Sequence, residues 1–142
     1  MIYTLCDSSF FQIIAQIYGH VHTDTFRIYQ NDNHTSTSVA FLAPSLTPRV
    51  NWMEGTNPGI RLYHYKLNKT HLDNYEQFYV DLAKGNDEKA LKWTKLYDFK
   101  DTYGVPDLSD KSMIAAFNKI AMDDKYFQKS YAFNTLMKDN GM

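Results

Sequence analysis

The sequence contains little of what several common protein classes require. Its single cysteine, Cys6, cannot close a disulfide within the chain. No apolar run approaches the roughly 18 residues of a membrane-spanning helix. The first basic residue is Arg27, so no charged region precedes an apolar stretch at the N-terminus. The sequence therefore predicts no disulfide framework, no transmembrane segment and no signal peptide.

Charge of one sign is also missing. The formal net charge is -1, from 15 Lys and Arg against 16 Asp and Glu, and no basic run of five residues occurs. This gives no electrostatic reason to expect a nucleic acid polymer as partner. What is present is apolar and aromatic: 44% of the 142 residues are hydrophobic and 15% are aromatic, which excludes a disordered tail. The length suits a single compact unit.

The first part of the chain shows strand patterns. We expect about five strands between residues 12 and 82, in an antiparallel or mixed sheet. The segment 12–18 is nearly all apolar, which is typical of a strand buried on both faces. The other predicted strands are 26–29 and 39–42, which flank a polar connector at 31–36, and then 60–66 and 72–82. Residues 45–58 are predicted to form a long loop.

After residue 84 the apolar spacing becomes helical. A helical or mixed segment is predicted from residue 90, through Trp93, Thr94 and Tyr97, to a break at 104–106. Ser109 is the predicted N-cap of a helix, and residues 123–124 are predicted to begin another. Residues 2–9 are predicted to end a helix. Two interpretations of the helical aromatic stripe stay open, core packing and lipid contact; it comprises Met113, Ala116, Phe117, Ile120, Ala121, Tyr126, Phe127, Ser130, Tyr131 and Met137.

The strongest chemical signal is a pair of histidines, His20 and His22, directly after the first predicted strand. On an extended backbone, side chains at positions i and i+2 point to the same side. Neutral imidazole is a common ligand of zinc, and Gly19 lets an ion or backbone approach closely. The pattern predicts a pair of metal ligands at one end of the sheet. Asp24 is expected either to orient a ligand histidine or to cap a turn.

Several blocks in a fixed order make the chain similar to a known family. They are Gly19-His20-Val21-His22, Ala40-Phe41-Leu42-Ala43-Pro44, Asn57-Pro58-Gly59-Ile60-Arg61, Tyr75-Glu76-Gln77-Phe78-Tyr79 and Tyr103-Gly104-Val105-Pro106. The series resembles the C-terminal part of the acid sphingomyelinases and acid sphingomyelinase-like phosphodiesterases, within the calcineurin-like metallophosphoesterases. The resemblance runs from about residue 2 to about residue 136.

The resemblance implies an α/β (α+β) fold class, namely the C-terminal part of a metallophosphoesterase β-sandwich flanked by helices, with a helical C-terminal region. It implies that residues 1–50 end the metallophosphoesterase domain and that 51–142 form the family's C-terminal region. It implies two zinc ions in a complete site, with His20 binding one and His22 the other. The general-acid histidine and the remaining ligands are expected upstream, so we predict that this chain alone is inactive.

Two further motifs are false matches to the family's other metal ligands. Asp32-Asn33-His34 has the Asp-x-His spacing, but it follows the histidine pair and lies in a polar connector. Gly85-Asn86-Asp87-Glu88 resembles the family's Gly-Asn-His-Glu block without its histidine. We expect neither to bind metal, because the context of each motif is wrong.

The remaining candidates have alternative roles. Arg61 is a candidate for phosphate contact, or it pairs with a carboxylate and holds the turn at residues 57–59. Asn33 and Asn68 are glycosylation candidates, whereas His64 and His71 are expected to be surface or packing residues.

For the complete protein, the resemblance implies a secreted or lysosomal hydrolase acting on a phospholipid such as sphingomyelin, or on another small phosphodiester. A nucleotide-type phosphodiesterase of the sphingomyelinase-like branch stays open, as does a non-catalytic domain that binds a lipid or a protein. Peripheral membrane contact is left open as well.

Overall fold

The computed structural model describes residues 13–33, 36–48 and 56–136, and the helix predicted at 2–9 lies outside them. This part of the chain is mixed α and β, as expected, with two small sheets and four helices. The strands are β1 (Gln16–Tyr18), β2 (Thr25–Gln30), β3 (Ser36–Leu42), β4 (Gly59–Tyr65), β5 (Leu72–Tyr79) and β6 (Thr94–Asp98). The helices are α1 (Leu82–Glu88), α2 (Phe99–Tyr103), α3 (Asp110–Met122) and α4 (Asp124–Asn134).

The first sheet has the strand order β1-β3-β2. Strands β2 and β3 pair antiparallel, from Thr25 opposite Leu42 to Gln30 opposite Ser36, which confirms the predicted hairpin around the polar connector. Strand β1 is parallel to β3, with Ile17 opposite Phe41. Residues 39–42 of β3 are all buried, and Phe26 and Ile28 of β2 pack against the same core.

The prediction of a strand at 12–18 buried on both faces is wrong for the residues described here. Only Gln16–Tyr18 pair as a strand, and the exposed fraction is 53% for Ile17 and 70% for Ile13. Among the described residues β1 pairs with β3 alone. The apolar side chains of this segment are therefore only partly covered by the described residues around them.

The second sheet is antiparallel, with the order β4-β5-β6. Strand β5 ends at Tyr79, short of the predicted residue 82, because Asp81 caps α1 by accepting a hydrogen bond from the backbone N–H of Lys84. The segment predicted as helical or mixed is mixed: strand β6 contains Thr94 and Tyr97, and helix α2 follows and ends at the predicted break. The spacing 90, 93, 94 and 97 suggested a helix, but pairing with β5 decides the conformation.

The helical boundaries follow local chemistry. Helix α2 ends at Gly104, whose φ of 60° is the left-handed conformation that glycine adopts without steric cost. Ser109 is the N-cap of α3, as predicted, but its side chain makes no capping bond and instead donates to Asp107 at 2.6 Å. Asp123 caps α4 through the backbone N–H of Lys125.

An aromatic core lies between the two sheets and the helices. Phe41 of the first sheet meets the rings of Tyr63 and Tyr75 edge-on, with centroids 6.1 Å away in both contacts. Phe26 meets Phe99 at 6.0 Å. The Phe41 contacts hold the two sheets together through their inward faces, and the Phe26 contact joins the first sheet to α2.

The helical stripe divides between core and surface. Met113 and Ala116 are completely buried, and Tyr126 packs against the core. The core interpretation is wrong for Phe117, Phe127 and Tyr131, which are 52%, 50% and 48% exposed; Met137 lies outside the described residues. Within the described part of the chain, no helix has the length and apolar character needed to cross a bilayer.

Candidate functional site

The two candidate metal ligands lie in the short loop between β1 and β2. His20 and His22 both have left-handed backbone conformations, with φ of 77° and 65°. We expected these two side chains to point to the same side because the backbone would be extended. That premise is wrong, because neither residue is extended. A left-handed histidine is uncommon and costs energy, and such residues concentrate at functional sites.

Both ends of this histidine loop, residues 19–23, are fixed by backbone hydrogen bonds. Before the loop, the N–H of Ala43 donates to the carbonyl of Tyr18 at 3.0 Å. After it, the N–H of Asp24 donates to the carbonyl of Asn134 at 3.1 Å, and the side chain of Asn134 donates back to the carbonyl of Asp24 at 2.9 Å. The loop is therefore held between β3 and the end of α4.

The Asp24 carboxylate lies in the interior and is paired on both oxygens. Arg61 of β4 donates to Oδ1, and the Tyr97 hydroxyl of β6 donates to Oδ2 at 2.6 Å. The Arg61 guanidinium also donates through Nε to Gln77 at 2.8 Å and lies 4.1 Å from the centroid of the Tyr75 ring. Of the two interpretations of Arg61, the structure shows the carboxylate pair.

The electrostatics of this cluster follow from burial. Burial raises the pKa of the Asp24 carboxyl, while the Arg61 guanidinium and the Tyr97 hydroxyl oppose that rise. Both donors favour the charged form of the carboxyl, although burial remains the largest influence on its pKa. Burial also raises the pKa of Tyr97 well above its ordinary value, and the nearby Asp24 charge adds to this. The tyrosine therefore stays a hydrogen-bond donor.

Asp24 and Arg61 contact three residues that were not among the sequence candidates: Tyr75, Gln77 and Tyr97. Gln77 is fully buried and donates to the carbonyls of Ile60 and Phe78 at 2.9 and 3.0 Å. The Tyr75 and Tyr97 hydroxyls are 2.9 Å apart. Their positions 75, 77 and 97 face inward in register with Arg61. The alternation within 72–79 was the available signal, but it required the partner strand to be known.

The described residues do not complete a metal site. Among residues 13–33, 36–48 and 56–136, no group of three or more His, Cys, Asp or Glu side chains could hold an ion. Two imidazoles are suitable donors but fewer than the three or four that a zinc site uses. The donor chemistry of His20 and His22 thus fits a contribution to a site and not a whole one.

The other candidates lie elsewhere. Asp32 and Asn33 are exposed in the turn after β2, and His34 is outside the described residues. Residues 85–88 belong to α1. His64 lies 3.2 Å from Glu76 on the outer side of the second sheet. His71 lies 3.2 Å from Asp107. Asn68 is exposed in the turn between β4 and β5.

Comparison with known proteins places these features in context. Residues 33–141 match the family model described as the acid sphingomyelin phosphodiesterase C-terminal region. Acid sphingomyelinase-like phosphodiesterase 3b of Homo sapiens is 30% identical over 92% of this chain and 30% of its own length. A match of that extent necessarily includes positions 20 and 22.

Two further relatives have different names. A cyclic GMP-AMP phosphodiesterase of Rattus norvegicus is 35% identical over 85% of this chain and 28% of its own length. Sphingomyelin phosphodiesterase 1 of Caenorhabditis elegans is 31% identical, over 85% of this chain and 22% of its own length. The chain thus spans less than a third of each of these curated relatives.

Proposed function

This chain belongs to the acid sphingomyelin phosphodiesterase family, a family of phosphoric diester hydrolases, and from that premise we propose that it contributes two metal ligands to a phosphodiesterase active site. His20 binds one metal ion and His22 the other. The remaining ligands and the general acid come from sequence outside this chain. The observation that supports the proposal is the pair of left-handed histidines in a loop fixed at both ends.

Fixed ends matter because metal ligands must be held in place before the ion binds. A ligand loop that moves freely loses affinity, since ordering it costs conformational entropy. Here the hydrogen bonds at Tyr18, Asp24 and Asn134 limit that cost. The energy that keeps two histidines left-handed is supplied by this surrounding structure.

Asp24 acts in this proposal as a positioning residue. It lies two residues after His22 and is held from three directions, by Arg61, Tyr97 and Asn134. It therefore fixes where the histidine loop ends relative to the second sheet. Arg61 contributes through Asp24 and does not face a substrate, because its side chain is only 1% exposed.

Zinc is the proposed metal, two ions in the complete site. Imidazole is a ligand that zinc accepts readily, and paired ions can polarise a phosphoryl oxygen and lower the pKa of a bound water. Imidazole binds a metal ion through an unprotonated ring nitrogen, which each of these side chains can supply.

The proposed substrate is a phosphodiester. The names of the relatives include both sphingomyelin and a cyclic dinucleotide at similar identity, 31% and 35%. Sphingomyelin, which yields ceramide and phosphocholine, is the primary proposal, and a nucleotide-type diester is the alternative. A secreted or lysosomal location and glycosylation at Asn33 are part of the same proposal, since Asn33 is exposed in a turn.

The test is a zinc titration of the 142-residue chain followed by NMR of its histidine side chains. We expect weak binding that shifts the His20 and His22 resonances and leaves His64 unchanged. The variants His20→Ala and His22→Ala should each weaken binding, and His64→Ala serves as the matched control. Equal effects at all three histidines would overturn the proposed ligand pair.

The same samples test activity. We expect no hydrolysis of bis(4-nitrophenyl) phosphate above background by the chain with zinc, and the same rate for the His20→Ala, His22→Ala double variant. Robust turnover that the double variant abolishes would show that this chain is sufficient for catalysis and would refute the prediction that it is inactive alone.

A further inference from the structure

The hairpin between β4 and β5 has an unusual apex. The N–H of Lys69 donates to the carbonyl of Lys66 at 3.0 Å, which closes a four-residue turn with Leu67 and Asn68 at its centre. Central turn positions usually hold Gly, Pro, Asn, Asp or Ser. Leu67 instead occupies one of them, and it is 95% exposed. A leucine left in water at this position gives the fold nothing by burial.

The hairpin that carries this apex is paired along both strands. Strands β4 and β5 pair from Gly59 opposite Tyr79 to Tyr65 opposite Leu72, with one irregularity between His64 and Tyr65. Such irregularities redirect the side chains that follow. Tyr65, next to the turn, is 62% exposed. An exposed aromatic residue and an exposed aliphatic residue thus lie two positions apart at the end of a paired hairpin.

Lysines border the apolar apex on both sides. Lys66 and Lys69 are the first and last residues of the turn. Lys66 contacts Asp73 at 2.7 Å and keeps 56% of its side chain exposed. Lys69 has no ion-pair partner among the described residues. Lys100 lies 3.4 Å from the same Asp73, so the one carboxylate here is shared between two cations.

We propose that this hairpin apex, residues 65–69, contacts the surface of an anionic phospholipid bilayer. Leu67 enters the boundary between headgroups and acyl chains, and Tyr65 lies at the headgroup level, where aromatic side chains are favoured. Lys66 and Lys69 keep their ammonium groups at the phosphates, with their stems along the apolar region. The contact is independent of the histidine loop and stands or falls without it.

Charge distinguishes this apex from the exposed apolar surface at the junction of α3 and α4. Met122 and Phe127, at the junction of α3 and α4, are 86% and 50% exposed. Two exposed aspartates, Asp123 and Asp124, and one exposed lysine, Lys125, lie between them, and the net negative charge opposes contact with an anionic surface. The hairpin apex, with Lys66 and Lys69 beside Leu67, therefore matches an anionic bilayer better than this junction does.

Asn68 provides an internal test, because it is also a glycosylation candidate. A glycan at the apex would hold Leu67 away from the bilayer, so the two roles exclude each other. We expect Asn68 to be unmodified in protein secreted from eukaryotic cells, as measured by mass spectrometry of the peptide that contains it. Substantial occupancy would overturn the lipid contact.

The main experiment is co-sedimentation of the unglycosylated 142-residue chain with vesicles of equal parts phosphatidylcholine and phosphatidylserine. We expect binding that decreases as salt increases and is much weaker on pure phosphatidylcholine. Leu67→Asp should weaken it by about tenfold or more, and Lys69→Gln by roughly fivefold. Both positions are exposed, so circular dichroism should show an unchanged fold.

Met122→Asp is the matched control, since it places the same charge at another exposed apolar side chain. It should bind vesicles like the parent chain. No binding by the parent chain, or equal binding by Leu67→Asp, would overturn the proposal. A loss with Met122→Asp as large as that with Leu67→Asp would do the same and would point to the helical surface.

Discussion

The Arg61 guanidinium pairs with the Asp24 carboxylate, and both side chains are almost completely buried, at 1% and 4% exposed. The two residues are 37 positions apart in the chain. Asp24 ends the histidine loop, and Arg61 belongs to the second sheet. This ion pair therefore connects the candidate metal ligands to a part of the structure that the histidine motif does not reveal.

Removing one partner of this pair should be strongly destabilising. Arg61→Met leaves a buried carboxylate with only Tyr97 as donor, and Asp24→Leu leaves a buried guanidinium without its counterion. We expect each to lower the free energy of unfolding by about 3–5 kcal/mol, measured by urea denaturation. The double variant should lose less than the two single losses combined, because no unpaired charge remains.

Arg27→Met is the control for this prediction. Arg27 is exposed on β2, and its removal should change stability by less than about 0.5 kcal/mol. If Arg61→Met were as mild as Arg27→Met, the buried pair would not anchor the loop.

Gly59 should tolerate no side chain. A Cβ at this position would lie 2.5 Å from Cδ1 of Leu136 and 2.9 Å from Cγ of Pro44. Leu136 is completely buried, so it has little room to move. We expect Gly59→Ala to lower the free energy of unfolding by about 1–3 kcal/mol. Gly19→Ala is the matched control, since nothing lies within 4 Å of its Cβ position, and it should be nearly neutral by the same denaturation measurement.

This packing explains one of the sequence blocks that resembled the family. In Asn57-Pro58-Gly59-Ile60-Arg61, Asn57 donates to the carbonyl of Leu136 at 2.9 Å and accepts from the N–H of Leu82 at 3.2 Å. Gly59 allows the close approach of Leu136, and Arg61 pairs with Asp24. The block therefore ties the end of α4, the start of α1 and the histidine loop to one strand.

Local patterns predicted most of the fold because they depend on neighbouring residues. The β2–β3 hairpin, strand β4 and the helices beginning near 110 and 124 followed from alternation, polar connectors and caps. Strand β6 was missed because Trp93, Thr94 and Tyr97 fit helical spacing, and only the partner strand β5 decides between the two. Burial of β1 was predicted wrongly, because apolar composition does not say what covers it.

The site was predictable only in part, for the same reason. The histidine pair could be found from its spacing, but its left-handed backbone could not, since non-glycine residues rarely adopt it. The partners of Asp24 are Arg61, Tyr97 and Asn134, at separations of 37, 73 and 110 positions. No pattern within a short window of sequence contains such contacts.

Acid should weaken the fold through Asp107. Partial burial raises the pKa of this carboxyl, but hydrogen bonds from Ser109 and Ser112 and the nearby His71 outweigh burial and hold the pKa well below its ordinary value. A carboxyl with a lower pKa in the folded chain stabilises the fold above its unfolded pKa, near about pH 4. That contribution is lost as the pH falls through the lower, folded value. Asp107→Asn should therefore reduce the loss of stability that the parent chain shows below about pH 4.

Ser112→Ala removes one of the three groups that donate to Asp107 and should flatten the same acid limb partially. Ser45→Ala, at a loop serine that contacts Thr47 instead, should leave it unchanged. The measurement is the thermal midpoint between neutral pH and the acid limb. An Asp107→Asn variant as sensitive to acid as the parent chain would contradict the assignment.

Finally, the left-handed backbone of His20 should lower the free energy of unfolding, while the same residue provides a metal ligand. A non-glycine residue in this conformation costs about 1–2 kcal/mol. Glycine adopts it without that cost, but glycine loses more conformational entropy on folding, which offsets part of the gain. We expect His20→Gly to raise the free energy of unfolding by about 0.5–1 kcal/mol and His20→Val to lower it by about 1 kcal/mol. His64→Gly, in strand β4, should instead destabilise by about 1 kcal/mol.

Both His20 variants should bind zinc more weakly than the parent chain. A His20→Gly variant less stable than the parent chain would mean that the conformation is not strained, and its loss of zinc binding would then reflect the missing imidazole alone. A His20→Gly variant that is more stable than the parent chain but binds zinc more weakly would show that the zinc ligand at this position lowers the stability of the fold.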